Sequence, residues 1–205
     1  MKLKGWILAG AVATAVACSS KKDASTADST SSASTTTPAD SGAAASSSAS
    51  TSPGGTSDAN ILAQESDGDS AEVVIGGYAR THASDPQVKA YGKLLVDDHG
   101  KGKREVASLA KKLSITPVPA ADDTASQETA HTMDHLTALK GYDFDTAFVK
   151  HEIVDHQTDI ADAQKAAAAA QNPQVKSLVE KSLPELKKHL DRAQALDKKL
   201  SAKKG

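Results

Sequence analysis

The chain has 205 residues, a formal charge of -2 and only 3% aromatic side chains. So mild an acidic balance excludes an electrostatic nucleic-acid binder, and the scarcity of aromatic and β-branched residues argues against a β-sandwich. About sixty N-terminal residues lack the apolar content to fold, which leaves one domain of roughly 145 residues with a narrow core of Ala, Val and Leu.

In chain order, residues 1–18 have the layout of an export signal: Lys2 and Lys4, an apolar run from Trp6 to Ala17, then small residues at the cut. The run is too short to span a bilayer. The only cysteine of the chain ends it, in Ala15-Val16-Ala17-Cys18, where no second cysteine exists for a disulfide. This resembles the lipobox of bacterial lipoproteins, in which the thiol is acylated and becomes the new N-terminus, although Ala15 stands where leucine is usual. The expected state is a lipid-anchored Cys18, with the membrane as partner. Ser19, in place of aspartate, implies by the same resemblance the outer membrane, facing the periplasm or the surface. Plain cleavage after Ala17 would instead give a secreted or periplasmic protein with a free thiol.

Apart from Lys21 and Lys22, residues 19–57 are Ser, Thr, Ala, Asp, Gly and Pro with almost no large apolar side chain. Nothing there offsets the entropy of ordering, so a disordered linker is expected, with a reach on the order of 35 Å.

The bundle expected over residues 58–205 has four long helices, about 60–83, 86–113, 143–170 and 173–202. A shorter helix over about 123–139 lies in the middle connection, between Pro117 and Pro119 on one side and Gly141 on the other. Asp85-Pro86-Gln87-Val88-Lys89 recurs as Asn172-Pro173-Gln174-Val175-Lys176, and Leu109-Ala110-Lys111-Lys112-Leu113 recurs at the same offset as Leu196-Asp197-Lys198-Lys199-Leu200. Each repeat opens with a capping residue and a proline at the first helical position. Equivalent helices two apart imply paired helical hairpins, so the expected fold is all-α: an antiparallel four-helix bundle of ferritin-like type.

The apolar seams step by three and four. The second helix carries Val88, Gly92, Leu95, His99, Gly102 and Val106, the third Val149, Ile153, His156, Ile160 and Ala163, and the fourth Val179, Ser182, Leu186, His189, Ala193 and Leu196. His99, His156 and His189 therefore point inward, each with acidic neighbours: Asp98, then Glu152 with Asp155, then Glu185. On the first helix Glu72 shares a small-residue face with Gly76 and Ala79. Imidazoles and carboxylates converging inside a bundle are the elements of a metal site, so Glu72, His99, Asp155, His156, Glu185 and His189 are candidate ligands for an Fe, Mn or Zn ion. A seam histidine alone more often fills space and hydrogen-bonds a neighbour. Glu152 and Glu185 also stand four residues before their histidines, not the three of di-iron bundles.

Other patterns carry less. His151-Glu152-Ile153-Val154-Asp155-His156 has one residue more than the zinc-protease motif, which turns the two imidazoles roughly 140° apart. Glu128, His131 and His135 read as an exposed polar face, and the C-terminal lysines as a solvated one. No nucleophile elbow, phosphate loop or dinucleotide fingerprint occurs.

Glu72-Val73-Val74-Ile75-Gly76, Asp85-Pro86-Gln87-Val88-Lys89, Val96-Asp97-Asp98-His99, Phe144-Asp145-Thr146-Ala147-Phe148, Asp155-His156 and Leu183-Pro184-Glu185-Leu186-Lys187-Lys188-His189 together resemble the bacterial domain-of-unknown-function family 4142. The resemblance covers about residues 60–200. It implies an exported, often lipidated protein with a ferritin-like fold and no established activity. The family's recurring acidic and histidine positions fall on Glu72, Asp98 with His99, Asp155 with His156, and Glu185 with His189. Three functional classes follow: an envelope module that binds or senses a metal, a di-metal oxidase or peroxide-consuming enzyme, and a structural or surface-interaction protein. Self-association into a homo-oligomer stays open.

Overall fold

The computed structural model describes residues 57–203. The signal segment of residues 1–18, the lipidation candidate Cys18 and almost all of the expected linker lie outside the described residues. Within them are five helices and no strand: α1 (Asp58–His82), α2 (Pro86–Leu113), α3 (Ala125–Thr137), α4 (Gly141–Ala169) and α5 (Pro173–Ala202). None is long and apolar enough to cross a membrane.

Local chemistry sets the boundaries. Ser57 and Asn60 cap α1 reciprocally, each side chain accepting from the other's backbone N–H at 3.2 Å. Asp85 and Asn172 cap α2 and α5, accepting from Gln87 N at 2.7 Å and Gln174 N at 2.8 Å, each with proline next. Gly141, with φ +62°, supplies the left-handed residue that turns the chain into α4.

Two apolar clusters fill the bundle, and their order along each helix gives its direction. Ile61 and Leu62 precede Ile75 and Ala79 on α1, whereas on α2 Leu95 of the second cluster precedes Val106 of the first. On α4 Phe148 precedes Ala163, and on α5 Val179 precedes Leu196. So α1 and α5 run one way, α2 and α4 the other, joined by a long crossover that contains α3. That is the single-crossover topology of ferritin-like bundles. The crossover is fastened at both ends. Val118 N donates to Ala59 O at 3.1 Å, and Asn60 Nδ2 to Val118 O at 2.8 Å; Leu136 of α3 is buried in the second cluster.

The sequence repeat extends to α1 and α4, where it places Asp58 opposite Asp145. Asp145, buried, accepts from Ser84 N and Asp85 N at 2.8 Å each and so clamps the α1–α2 turn. Asp58 accepts from Gln171 N and Asn172 N at 3.0 Å each and clamps the α4–α5 turn. The two hairpins thus lock each other reciprocally, as a pseudo-twofold axis requires.

Between the two apolar clusters lies a polar layer at mid-bundle. Glu72, His99, Glu152, His156 and His189 are all buried there.

Candidate metal centre

Each helix reaches the layer by the seam that builds the core on either side of it. His99 follows Leu95 by four residues, and His156 follows Glu152 by four. His189 lies between Leu186 and Ala193. The three imidazoles converge, with ring centroids 5.2, 5.3 and 5.8 Å apart. One nitrogen from each lies within 4.8 Å of the others.

The outer nitrogen of every ring is held by an acceptor. His99 Nδ1 contacts Asp69 Oδ1 at 2.9 Å, His156 Nδ1 the Glu152 carbonyl at 3.0 Å, and His189 Nε2 Asp98 Oδ2 at 3.0 Å. A carbonyl or carboxylate only accepts, so these nitrogens carry the hydrogens and the inner nitrogens present lone pairs. His99 Nε2 is buried with no partner. His156 Nε2 and His189 Nδ1 face each other at 3.3 Å. Two lone pairs at that distance repel unless a proton or a cation lies between them. Burial, reinforced by His99 and His189, pulls the His156 imidazole down to about 3, and burial also lowers His189 despite Asp98; both oppose the proton. Two nitrogens at 2.0–2.1 Å from one tetrahedral ion would stand about 3.3 Å apart, so the donor set fits a metal ion.

On the other side of the His156 ring lies a carboxylate pocket. His156 Nδ1 is 3.5 Å from Glu152 Oε2, and Glu72, Glu152 and His156 bring ligand atoms within 4.8 Å of one another. The oxygens of Glu72 and Glu152 find no donor outside the acid cluster itself, although both residues are fully buried. Among the described residues no lysine or arginine is buried to balance them. Burial, then the charges of Glu152 and Asp155, pushes the Glu72 carboxyl well above its usual range; burial and Asp155 do the same to Glu152. Asp159, raised by burial and then by Asp155 to about 8, joins Asp155 against His156.

The six residues expected from the sequence therefore enter one network on three sides. His99, His156 and His189 form the imidazole face. Glu72 and Asp155 belong to the carboxylate pocket. Glu185, half-buried, pairs with Asp98 beyond the outer nitrogen of His189, at the rim of an open cleft of about 450 Å³ that reaches His99 and His189. Glu152, which the sequence offers as an acidic neighbour of His156 and not as a ligand, also joins the network, as do Asp159 and Asp69, which the sequence does not single out. Glu152 and Asp159 sit four before and three after His156, on the same helix face, and the repeat pairs Asp69 with His156 and Glu72 with Asp159. Gly102, the repeat partner of His189, lets Asp69 in: a Cβ there would stand 2.6 Å from Asp69 Oδ2. Glu128, His131 and His135 of α3 are exposed.

Fold and site define a ferritin-like helical bundle with a buried histidine and carboxylate layer. The chain belongs to the family described as domain of unknown function DUF4142, which matches residues 42–196. Among curated proteins none matches. Two solved structures share the fold. A DUF305 protein from Streptomyces coelicolor, described as secreted, has 12% identity and a TM-score of 0.62 over 70% of this chain and 93% of its own. CopM in the Cu(II)-bound form has 14% identity and a TM-score of 0.55 over 70% of this chain and 98% of its own.

Proposed function

We propose that this protein is a metal-binding module of the bacterial cell envelope that holds one divalent transition-metal ion on His99, His156 and His189. The observation that carries the reading is the set of three buried inner nitrogens, each aimed at the same space by an acceptor on its outer nitrogen. That outer-shell arrangement fixes tautomer and ring direction in metal-ligating histidines. Three imidazoles suit Cu(II) or Zn(II) better than Mn(II) or Mg(II). The Cu(II)-bound form of a protein with this fold supports the same choice. Asp69, Asp98 and the Glu152 carbonyl orient the ligands, and the cleft beside Glu185 provides the approach.

The test is metal analysis of the purified, chelator-stripped chain after loading with Cu(II), Zn(II), Fe(II) or Mn(II). One tightly held Cu(II) or Zn(II) is expected, lost in H156A and H189A. Retention of no stoichiometric ion, or equal retention by these variants, overturns the reading. Oxygen or peroxide turnover by the iron-loaded protein would move it to the enzyme class.

The envelope address rests on the Met1–Cys18 pattern and on the secreted description of the DUF305 neighbour. Anchoring through acylated Cys18 in the outer membrane is checked by mass spectrometry of the mature protein and by C18A. An unmodified mass and an unchanged membrane fraction would refute it.

A further inference from the structure

The unpartnered acids behind His156 have no role in a three-imidazole site. The two nitrogens of one imidazole point away from each other, and here Nε2 faces His189 while Nδ1 faces Glu152. An ion bound to the inner nitrogens at the usual 2.0–2.1 Å thus cannot be reached by groups gathered at Nδ1. The ring of His156 divides the layer into a nitrogen compartment and an oxygen compartment.

The oxygen compartment contains four buried oxygens, two on Glu72 and two on Glu152, and none accepts a hydrogen bond from outside the acid cluster; without a cation the acids can only share protons among themselves. Both side chains lie at or below 1% exposure, and Asp155 and Asp159 close the pocket toward the groove beneath α3. Buried carboxylates are retained only when paired, hydrogen-bonded or bound to a metal. Among the described residues no lysine or arginine is buried there; His151, which meets Asp155 from the groove side, is pushed toward its neutral form by burial, and His156 Nδ1 gives its hydrogen to the Glu152 carbonyl. What the pocket lacks is a cation with a preference for oxygen.

We propose that Glu72 and Glu152, with Asp155 at the edge, form a second cation site for a hard divalent ion of the Mn(II) class, separate from the imidazole site. Oxygen-rich donor sets suit Mn(II), Mg(II) and Ca(II), whereas imidazole sets suit Cu(II) and Zn(II), so the two compartments sort ions by chemistry. This inference deepens the metal-binding reading but uses different ligands, and the two can fail separately.

The full chain, stripped of metal and loaded with one equivalent of Zn(II), is titrated with Mn(II) and free Mn(II) is followed by its six-line EPR signal. One further equivalent of Mn(II) is expected to bind. E72Q/E152Q is expected to weaken Mn(II) binding by at least about 100-fold, since loss of a ligand exceeds the 10–100-fold typical of outer-shell partners, and to leave Zn(II) uptake within a few-fold. H99A/H189A is expected to do the reverse. E72Q alone serves if the double variant loses its helical circular dichroism. No retained Mn(II) in the Zn(II)-loaded wild type, or wild-type Mn(II) binding by E72Q/E152Q or E72Q, overturns the second site and leaves the imidazole reading intact. Mn(II) uptake without uptake of either Zn(II) or Cu(II) sinks the imidazole reading and supports this one.

Discussion

Gly102→Ala separates the stability of the helix from the aim of a ligand. The added Cβ would lie 2.6 and 2.8 Å from the two Asp69 carboxylate oxygens, so the carboxylate must retreat by about 0.6–0.8 Å to reach ordinary contact. Its 2.9 Å hydrogen bond with His99 Nδ1 does not survive that retreat. Alanine in place of glycine inside a helix gains about 0.8–1 kcal/mol, and one lost half-buried hydrogen bond costs about 0.5–1.5 kcal/mol. The two nearly cancel, and urea unfolding of the metal-free protein is expected to shift by less than about 1 kcal/mol. Metal affinity has no such compensation. Removal of an outer-shell partner typically costs 10–100-fold, or about 1.4–2.7 kcal/mol, measured by competition with a chromophoric chelator for Zn(II). Affinity within twofold of wild type would show that Asp69 does not orient His99. Gly92→Ala is the control, because its Cβ meets backbone at 2.7 Å on Gly76 O and 2.8 Å on Arg80 N, atoms that cannot swing aside.

The remaining expectations concern stability. Gly92→Ala should cost about 1–3 kcal/mol through overpacking of α1 on α2, and unchanged urea unfolding would contradict so close a crossing. Asp145→Ala removes the two bonds that a buried carboxylate makes to the α1–α2 turn and should cost about 3–4 kcal/mol, whereas Asp58→Ala, its more exposed counterpart, should cost about half as much. Equal losses in thermal unfolding would deny that burial separates the two clamps. In the metal-free chain Glu72, Glu152 and Asp159 hold protons in the folded state that the unfolded chain has already released. A raised carboxyl adds stability below its unfolded value and loses it as pH rises through its folded one. His151, His156 and His189, lowered by burial, are neutral in both states once the pH is about a unit above the ordinary imidazole value of about 6.5, and so do not oppose the trend there. The melting temperature of the metal-free protein should therefore fall between about pH 7.5 and 8.5, with a flatter profile in E72Q/E152Q; a rise across this window would refute the assignment.

How much of this was legible in the sequence differs from helix to helix. On α2 and α5 the three-and-four spacing of Val88, Leu95, Val106 and of Val179, Leu186, Leu196 is clean, and capped prolines mark both starts. On α1 and α4 the inner face mixes Glu72, Asp145, Glu152 and His156 with small apolar residues, so period alone blurs, because a buried acid is scored as a surface residue. The histidines could be read as inward-facing, since each interrupts an otherwise apolar seam. Asp69 could not: its contact with His99 depends on the missing side chain of Gly102 on another helix. Nor could the separation of His99 and His189 from Glu72 and Asp155 into two compartments, with Glu185 outside both, which is set by ring orientation about His156 and not by spacing.

The reciprocal clamps of Asp58 and Asp145 bear on how the polar layer came to be lopsided. Where the repeat places Asp98 beside Glu185, the two acids meet at the mid-bundle, so each pair of equivalent positions contributes to the same small volume. A perfectly duplicated hairpin would offer matched donors on both sides of the axis and one symmetric cage. Here Leu186, Asp69 and Gly102 stand opposite His99, His156 and His189. Three unlike substitutions across a shared axis are enough to turn one symmetric interior into two chemically distinct halves.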